Sequence, residues 1–123
     1  MTVLIVEDYE DTRDLLELIF ASAGHNVVSA GDGHAAVRMA ETYRPDVILM
    51  DLGLPLCDGL QAARRIKLLR GLAQVPILAH TARTDTVHVP GGPFAGVLFK
   101  PCAPEAVLAA AEAQAAAYAP TAA

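Results

Sequence analysis

Four side chains able to do chemistry stand at the ends of apolar runs. Glu7 and Asp8 close TVLIVED, Asp51 closes DVILMD, and Lys100 closes GVLFKP. If these runs are parallel strands of one sheet, all four meet at its C-terminal edge, where open α/β folds place their ligands. Carboxylates gathered with a single lysine suit a hard divalent cation with a phosphoryl group beside it. Asp51 could then attack phosphorus and form an acyl phosphate. Its own charge and those of Glu7 and Asp8 would repel an incoming phosphoryl dianion. Magnesium held by Asp8 and Asp51, with Glu7 acting through water, would remove that repulsion. Lys100 would pair with Asp51 in the free protein and bind a phosphoryl oxygen after transfer. Thr81 brings a hydroxyl donor to the same edge, and backbone N–H groups around Leu52–Gly53 and Ala82 could complete the cradle. Each residue alone has an ordinary explanation as a helix-terminal charge, a turn, a cap or a surface hydroxyl. Those explanations do not predict successive strand ends.

The elements that must position these residues follow from the apolar spacing. Strands are expected at Val3–Val6, Val27–Ala30, Asp46–Met50, Val75–Ala79 and Val97–Phe99. Helices are expected over Glu10–Ala23, with Leu15, Leu16, Ile19, Phe20 and Ala23 on one side, and over Gly33–Thr42. Two more are expected over Gly59–Leu69, with Leu60, Ala63 and Ile66 recurring, and from Pro104 to about Tyr118. Gly24 reads as the residue just past a helix, Asp58 as an N-cap and Pro104 as a first helical residue. Strands alternating with helices make a doubly wound α/β sheet with right-handed crossovers. One stretch, TARTDTVHVPGGPFAG, breaks the rhythm. Its Pro and Gly residues forbid a regular helix and leave at most a short turn around Thr84–Val89.

Composition narrows the function. A chain of 123 residues is one domain with room for its own core. Its net charge of −5 and lack of a basic stripe argue against a nucleic-acid surface; RRIKLLR is the polar side of one helix. No apolar run approaches the ~18–20 residues of a membrane span. No signal peptide is read before the first strand. Cys57 and Cys102 lack metal-ligand spacing, so they read as reduced packing residues of a cytoplasmic protein. His25, His34, His80 and His88 form no metal-type pair and read as surface or loop residues. His80 is the one to watch, because it adjoins Thr81.

VLIVEDYEDTRDLL, DVILMDLGLPLCDG, PILAHTA and VLFKP, in this order, resemble the receiver domains of two-component response regulators. The resemblance runs from Thr2 to about Ala117. It implies a flavodoxin-like α/β fold: a five-stranded parallel sheet in the order 2-1-3-4-5 with helices on both faces. It implies that Asp51 is the phosphoacceptor, charged from a phosphohistidine of a sensor histidine kinase or histidine phosphotransfer protein. Glu7 and Asp8 would be the metal-binding acidic pair, and the Gly53 carbonyl a third magnesium ligand. Thr81 would be the switch hydroxyl and Lys100 the phosphate-binding lysine, with a commonly cis Lys100–Pro101 bond. Three positions depart from the family. Val97 stands where Tyr or Phe is usual. The stretch from Thr81 to Lys100 is a few residues short, implying a shortened or irregular fourth helix. Cys102 replaces an aromatic residue.

The first two departures fall on a face that receivers commonly use for dimers and targets, so a monomer is expected, with phosphorylation reordering Arg83–Phe94 instead. Arg83 and Gly53 would tune the acyl-phosphate lifetime. The expected organisation is a receiver domain over 1–118 and a disordered tail over 119–123. The function expected is phosphorelay signalling, with output through a downstream protein contact or onward phosphotransfer. A phosphorylation-independent interaction module on the same fold is the alternative. A magnesium phosphatase on small substrates is disfavoured, since Gly53 stands where a general acid would be needed. The chain could also be an excerpt of a longer protein.

Overall fold

The computed structural model describes residues 1–82 and 92–118. Five strands form one parallel sheet: β1 (Thr2–Val6), β2 (Asn26–Ala30), β3 (Val47–Met50), β4 (Ile77–Thr81) and β5 (Gly96–Phe99), in the order β2-β1-β3-β4-β5. Four helices are seen among the described residues: α1 (Glu10–Ser22), α2 (Gly33–Tyr43), α3 (Gly59–Lys67) and α4 (Pro104–Tyr118). The expected α/β class and strand order are those observed. The irregular fourth helix expected between β4 and β5, including the turn at Thr84–Val89, and the tail at 119–123 lie outside the described residues.

The sheet separates two cores because side chains of a strand alternate between its faces. Leu4, Val6, Ile48, Met50 and Ile77 face α2 and α3, meeting Ala36, Ala40, Ala62, Ala63 and Ile66. Val3, Ile5, Val47, Leu49 and Leu78 face α1 and α4, meeting Leu16, Phe20, Val107 and Ala111. Every residue of β3 is buried, which explains why its sequence is continuously apolar rather than alternating.

The helix ends follow local chemistry. Asp32 and Asp58 accept from the N–H groups of Ala35 and Gln61 at 2.8 and 2.9 Å, satisfying donors with no partner inside the helix. At the end of α1, Gly24 takes φ +90°, and the N–H groups of Gly24 and His25 donate to the carbonyls of Ala21 and Phe20. That closure needs a left-handed residue, which glycine supplies without strain.

Some expectations need correction. Leu15 and Leu60 are exposed, at 47% and 37%, and Ala23 is exposed as well. The buried seam of α1 runs through Leu16 and Phe20, four residues apart and so stacked on one side. In α3, Ala62 joins Ala63 and Ile66 in the core where Leu60 was expected. Strand β4 begins at Ile77, later than Val75, because Val75 donates its N–H to Leu72 in a turn and Pro76 has none to give. It also continues through His80 and Thr81, which pair in register with Leu98 and Phe99 of β5.

Candidate phosphoacceptor and metal site

The sheet register builds the site. Val6 is level with Met50, Met50 with Ala79, and Ala79 with Val97. One residue further, Glu7, Asp51 and His80 therefore form a row across three adjacent strands at the C-terminal rim. The preceding inward residues, Ile5, Leu49 and Leu78, belong to the core beneath α1 and α4, so the pleat turns all three of the row toward that face. The Asp51 N–H donates to the Val6 carbonyl at 3.0 Å, and the Glu7 N–H to Ala30 at 3.0 Å, carrying strand pairing up to the site.

Carboxylate oxygens of Glu7, Asp8 and Asp51 lie within 4.8 Å of one another. Glu7 is 2% exposed, Asp51 is buried and Asp8 is open to solvent. Lys100 enters from the end of β5 and donates to Glu7 Oε1 at 2.5 Å and Asp51 Oδ2 at 3.3 Å. The expected Lys100–Asp51 pair is present, and the closer partner is Glu7. Sequence alone could not choose between carboxylates on neighbouring strands.

The Gly53 N–H donates to Asp51 Oδ1 at 3.0 Å, and the Tyr9 N–H to Glu7 Oε2 at 3.2 Å. Thr81 is 1% exposed, and its carbonyl accepts the Lys100 N–H at 2.8 Å, fixing the lysine at the strand end. The Lys100–Pro101 bond is cis. Arg83 lies outside the described residues.

Electrostatics tighten the picture. Burial raises the pKa of Glu7, Lys100 opposes this, and the neighbouring Asp51 adds to the rise. Burial pushes Lys100 down, but its carboxylate partners outweigh it and the net shift is upward. A crowd of carboxylates held by one ammonium is short of positive charge. This donor set, three carboxylates converging at a partly open rim, fits an octahedral oxygen-preferring dication of the magnesium type.

Two contributors escaped the sequence reading. Arg13, on the second turn of α1, donates Nη1 to the Glu7 carbonyl at 3.0 Å and so ties the helix to the acidic pair. His80 is 5% exposed, correcting its assignment to the surface or a loop. Its parity with Leu78 on a strand covered on both sides was the available signal. Burial, reinforced by the Lys100 charge and opposed by Asp51, lowers its pKa to about 4, so the ring is neutral at pH 7. His25 instead bridges the chain ends, meeting the N-terminal ammonium at 3.4 Å and Glu112 at 2.8 Å.

Known proteins place this geometry. The response regulator receiver domain family matches residues 3–112. The transcriptional regulatory protein AfsQ1 of Streptomyces coelicolor is 38% identical over 88 residues, covering 72% of this chain and 38% of that protein. The DNA-binding response regulator MtrA of Mycobacterium tuberculosis is 34% identical over 110 residues, covering 87% of this chain and 47% of that protein. The chain thus spans about half the length, or less, of these curated relatives. The receiver domain of sensor histidine kinase PA1611 from Pseudomonas aeruginosa superposes with a TM-score of 0.85 at 31% identity, over 94% of this chain and 97% of that one. That crystal structure has a magnesium ion coordinated in its active-site cleft. The chain belongs to the response regulator receiver domain family of two-component systems.

Proposed function

We propose that this receiver accepts a phosphoryl group on Asp51 from the phosphohistidine of a sensor histidine kinase or histidine phosphotransfer protein. The observation that carries this is the convergence of Glu7, Asp8 and Asp51 around a lysine that already spans two of them. Glu7, Asp8, Asp51 and the Gly53 carbonyl would hold magnesium, which when bound supplies the positive charge that offsets carboxylate–phosphoryl repulsion.

Asp51 is held for attack by the Gly53 N–H on one oxygen and Lys100 on the other. An Asp51 oxygen forms the new P–O bond as the P–N bond to the donor imidazole breaks, and the imidazole takes up a proton. Lys100 then transfers to a phosphoryl oxygen, and the Thr81 hydroxyl donates to another. In this reading the chain catalyses only its own phosphorylation and dephosphorylation. The signal passes to a downstream protein or by onward phosphotransfer, from a monomeric receiver unit at residues 1–118 in the cytoplasm. No helix among the described residues is long and apolar enough to cross a membrane.

Incubation with radiolabelled acetyl phosphate and magnesium tests the assignment. Label is expected on the wild type, with none on Asp51→Asn and a strong reduction on Asp8→Asn. Equal labelling of Asp51→Asn would overturn it. No label on any form would leave a receiver fold acting as a phosphorylation-independent interaction module.

A further inference from the structure

Among the described residues, four buried side chains are polar or charged, and the chemistry above employs Glu7, Asp51 and Thr81 but not His80. Its Nε2 is buried with no hydrogen-bond partner among the described residues. Such an orphan is costly in a core, where an apolar side chain of similar size would carry no penalty. The ring sits in the register row with Asp51 and Glu7, near enough to feel the charges of Lys100 and Asp51. Its position points to a partner acquired in another state of the site.

Lys100 is the group whose needs change. At rest its ammonium spends two of three donors on Glu7 and Asp51. Phosphorylation removes the Asp51 carboxylate charge, and a dication would engage Glu7. One donor then goes to the phosphoryl oxygen, leaving others short of acceptors in a half-buried place. The Asp51 carboxyl is the poorer candidate for His80. Its two oxygens carry their full acceptor capacity at rest without engaging Nε2, and phosphorylation only lowers the capacity of those two oxygens.

We propose that His80 is a positioning residue: in the phosphorylated state its Nε2 accepts a hydrogen bond from Lys100 and holds the ammonium on the phosphoryl oxygen. This rests on Asp51 being the phosphoacceptor. It requires a neutral imidazole with its hydrogen on Nδ1, and burial keeps the ring neutral at pH 7.

NMR of the protein with ¹⁵N-labelled histidine, with and without magnesium plus beryllofluoride, tests it directly. Backbone amides at Asp51–Gly53 and the Nε2 resonance of His80 should both move. Moving amides with an unmoved Nε2 would overturn the role of His80 and leave the phosphoacceptor reading intact. If neither moves, the phosphoacceptor reading fails and takes this one with it. In parallel, His80→Leu should weaken beryllofluoride binding about tenfold, the worth of one hydrogen bond to a charged group. His80→Gln, whose amide oxygen can accept in place of Nε2, should restore most of it. A purely structural histidine would show the reverse: Leu would bind like the wild type, and only thermal stability would change. If His80→Leu does not fold, the wild-type spectrum still decides.

Discussion

At the scale of single residues, the cost of the site is visible in His80. The ring is neutral in the folded protein down to about pH 4, while a histidine in the unfolded chain protonates near its usual 6.5. Below pH 6.5 the unfolded state therefore binds a proton that the native state refuses. Stability contributed by His80 is full above pH 6.5 and is lost as pH falls toward 4. The shift corresponds to roughly 3 kcal/mol. Urea unfolding at a series of pH values should show the wild type weakening across this window, with His80→Leu weakening less by about that amount. The difference between the two proteins isolates the imidazole from Glu7, whose raised pKa acts in the opposite direction at acid pH. Parallel curves would mean the ring is hydrated rather than sealed.

At the scale of elements, the loop from Leu52 to Asp58 sets Asp51 through close backbone approach. A Cβ on Gly59 would come within 2.2 Å of the Asp51 carbonyl oxygen, and one on Gly33 within 2.0 Å of the Cys57 carbonyl oxygen. Neither neighbour is a side-chain end that could swing aside. Gly59→Ala and Gly33→Ala should each cost about 3 kcal/mol, measured by chemical denaturation. If Asp51 is the phosphoacceptor, Gly59→Ala should also slow its labelling, because the substitution displaces the backbone that carries it. Leu56 offers the opposite opportunity. It is 83% exposed and held at φ +68°, a conformation that costs a branched side chain about 1 kcal/mol or more. Leu56→Asn should therefore raise the unfolding free energy by several tenths to about 1 kcal/mol, with no loss of buried contacts. An unchanged midpoint would show that the leucine side chain contributes packing its exposure hides.

Elements are also where the sequence was most and least legible. Strand ends were plain because Glu7, Asp51 and Lys100 interrupt strongly apolar runs, and the N-cap Asp58 and the first-turn Pro104 advertise helix starts. The extent of β4 was not. His80 looks like the end of a strand by polarity, yet a central strand under helices on both faces buries every residue it has. Leu15 and Leu60 misled for a related reason. Apolar spacing identifies a helix, but only tertiary packing decides which side of a wide apolar stripe meets the sheet. The strong link between Lys100 and Glu7 was beyond reach, because it depends on the lysine crossing over β4 and β3 to the third strand in.

At the scale of the whole molecule, that lysine joins the edge of the sheet to its centre. β5 has one strand neighbour and is only half-buried, whereas β1 and β3 are enclosed. Lys100 extends from β5 to the carboxylates that follow β1 and β3, so its charge holds the rim together as well as serving the proposed chemistry. Lys100→Met removes the only cation bonded to the Glu7 and Asp51 carboxylates among the described residues and leaves a 2%-exposed carboxylate without a counter-charge. Discounted for the partial exposure of the lysine, the loss should be about 2 kcal/mol without metal. A dication at the same carboxylates replaces the missing charge and stabilises the native state in proportion to its occupancy. Magnesium should therefore raise the melting temperature of Lys100→Met by more than that of the wild type, where the ammonium competes for the same oxygens, and chelator should reverse the gain. Asp8→Asn in the Lys100→Met background should abolish the difference. A stability deficit that magnesium leaves untouched would place the cation elsewhere, and the proposed transfer to Asp51 would then lack the positive charge it needs.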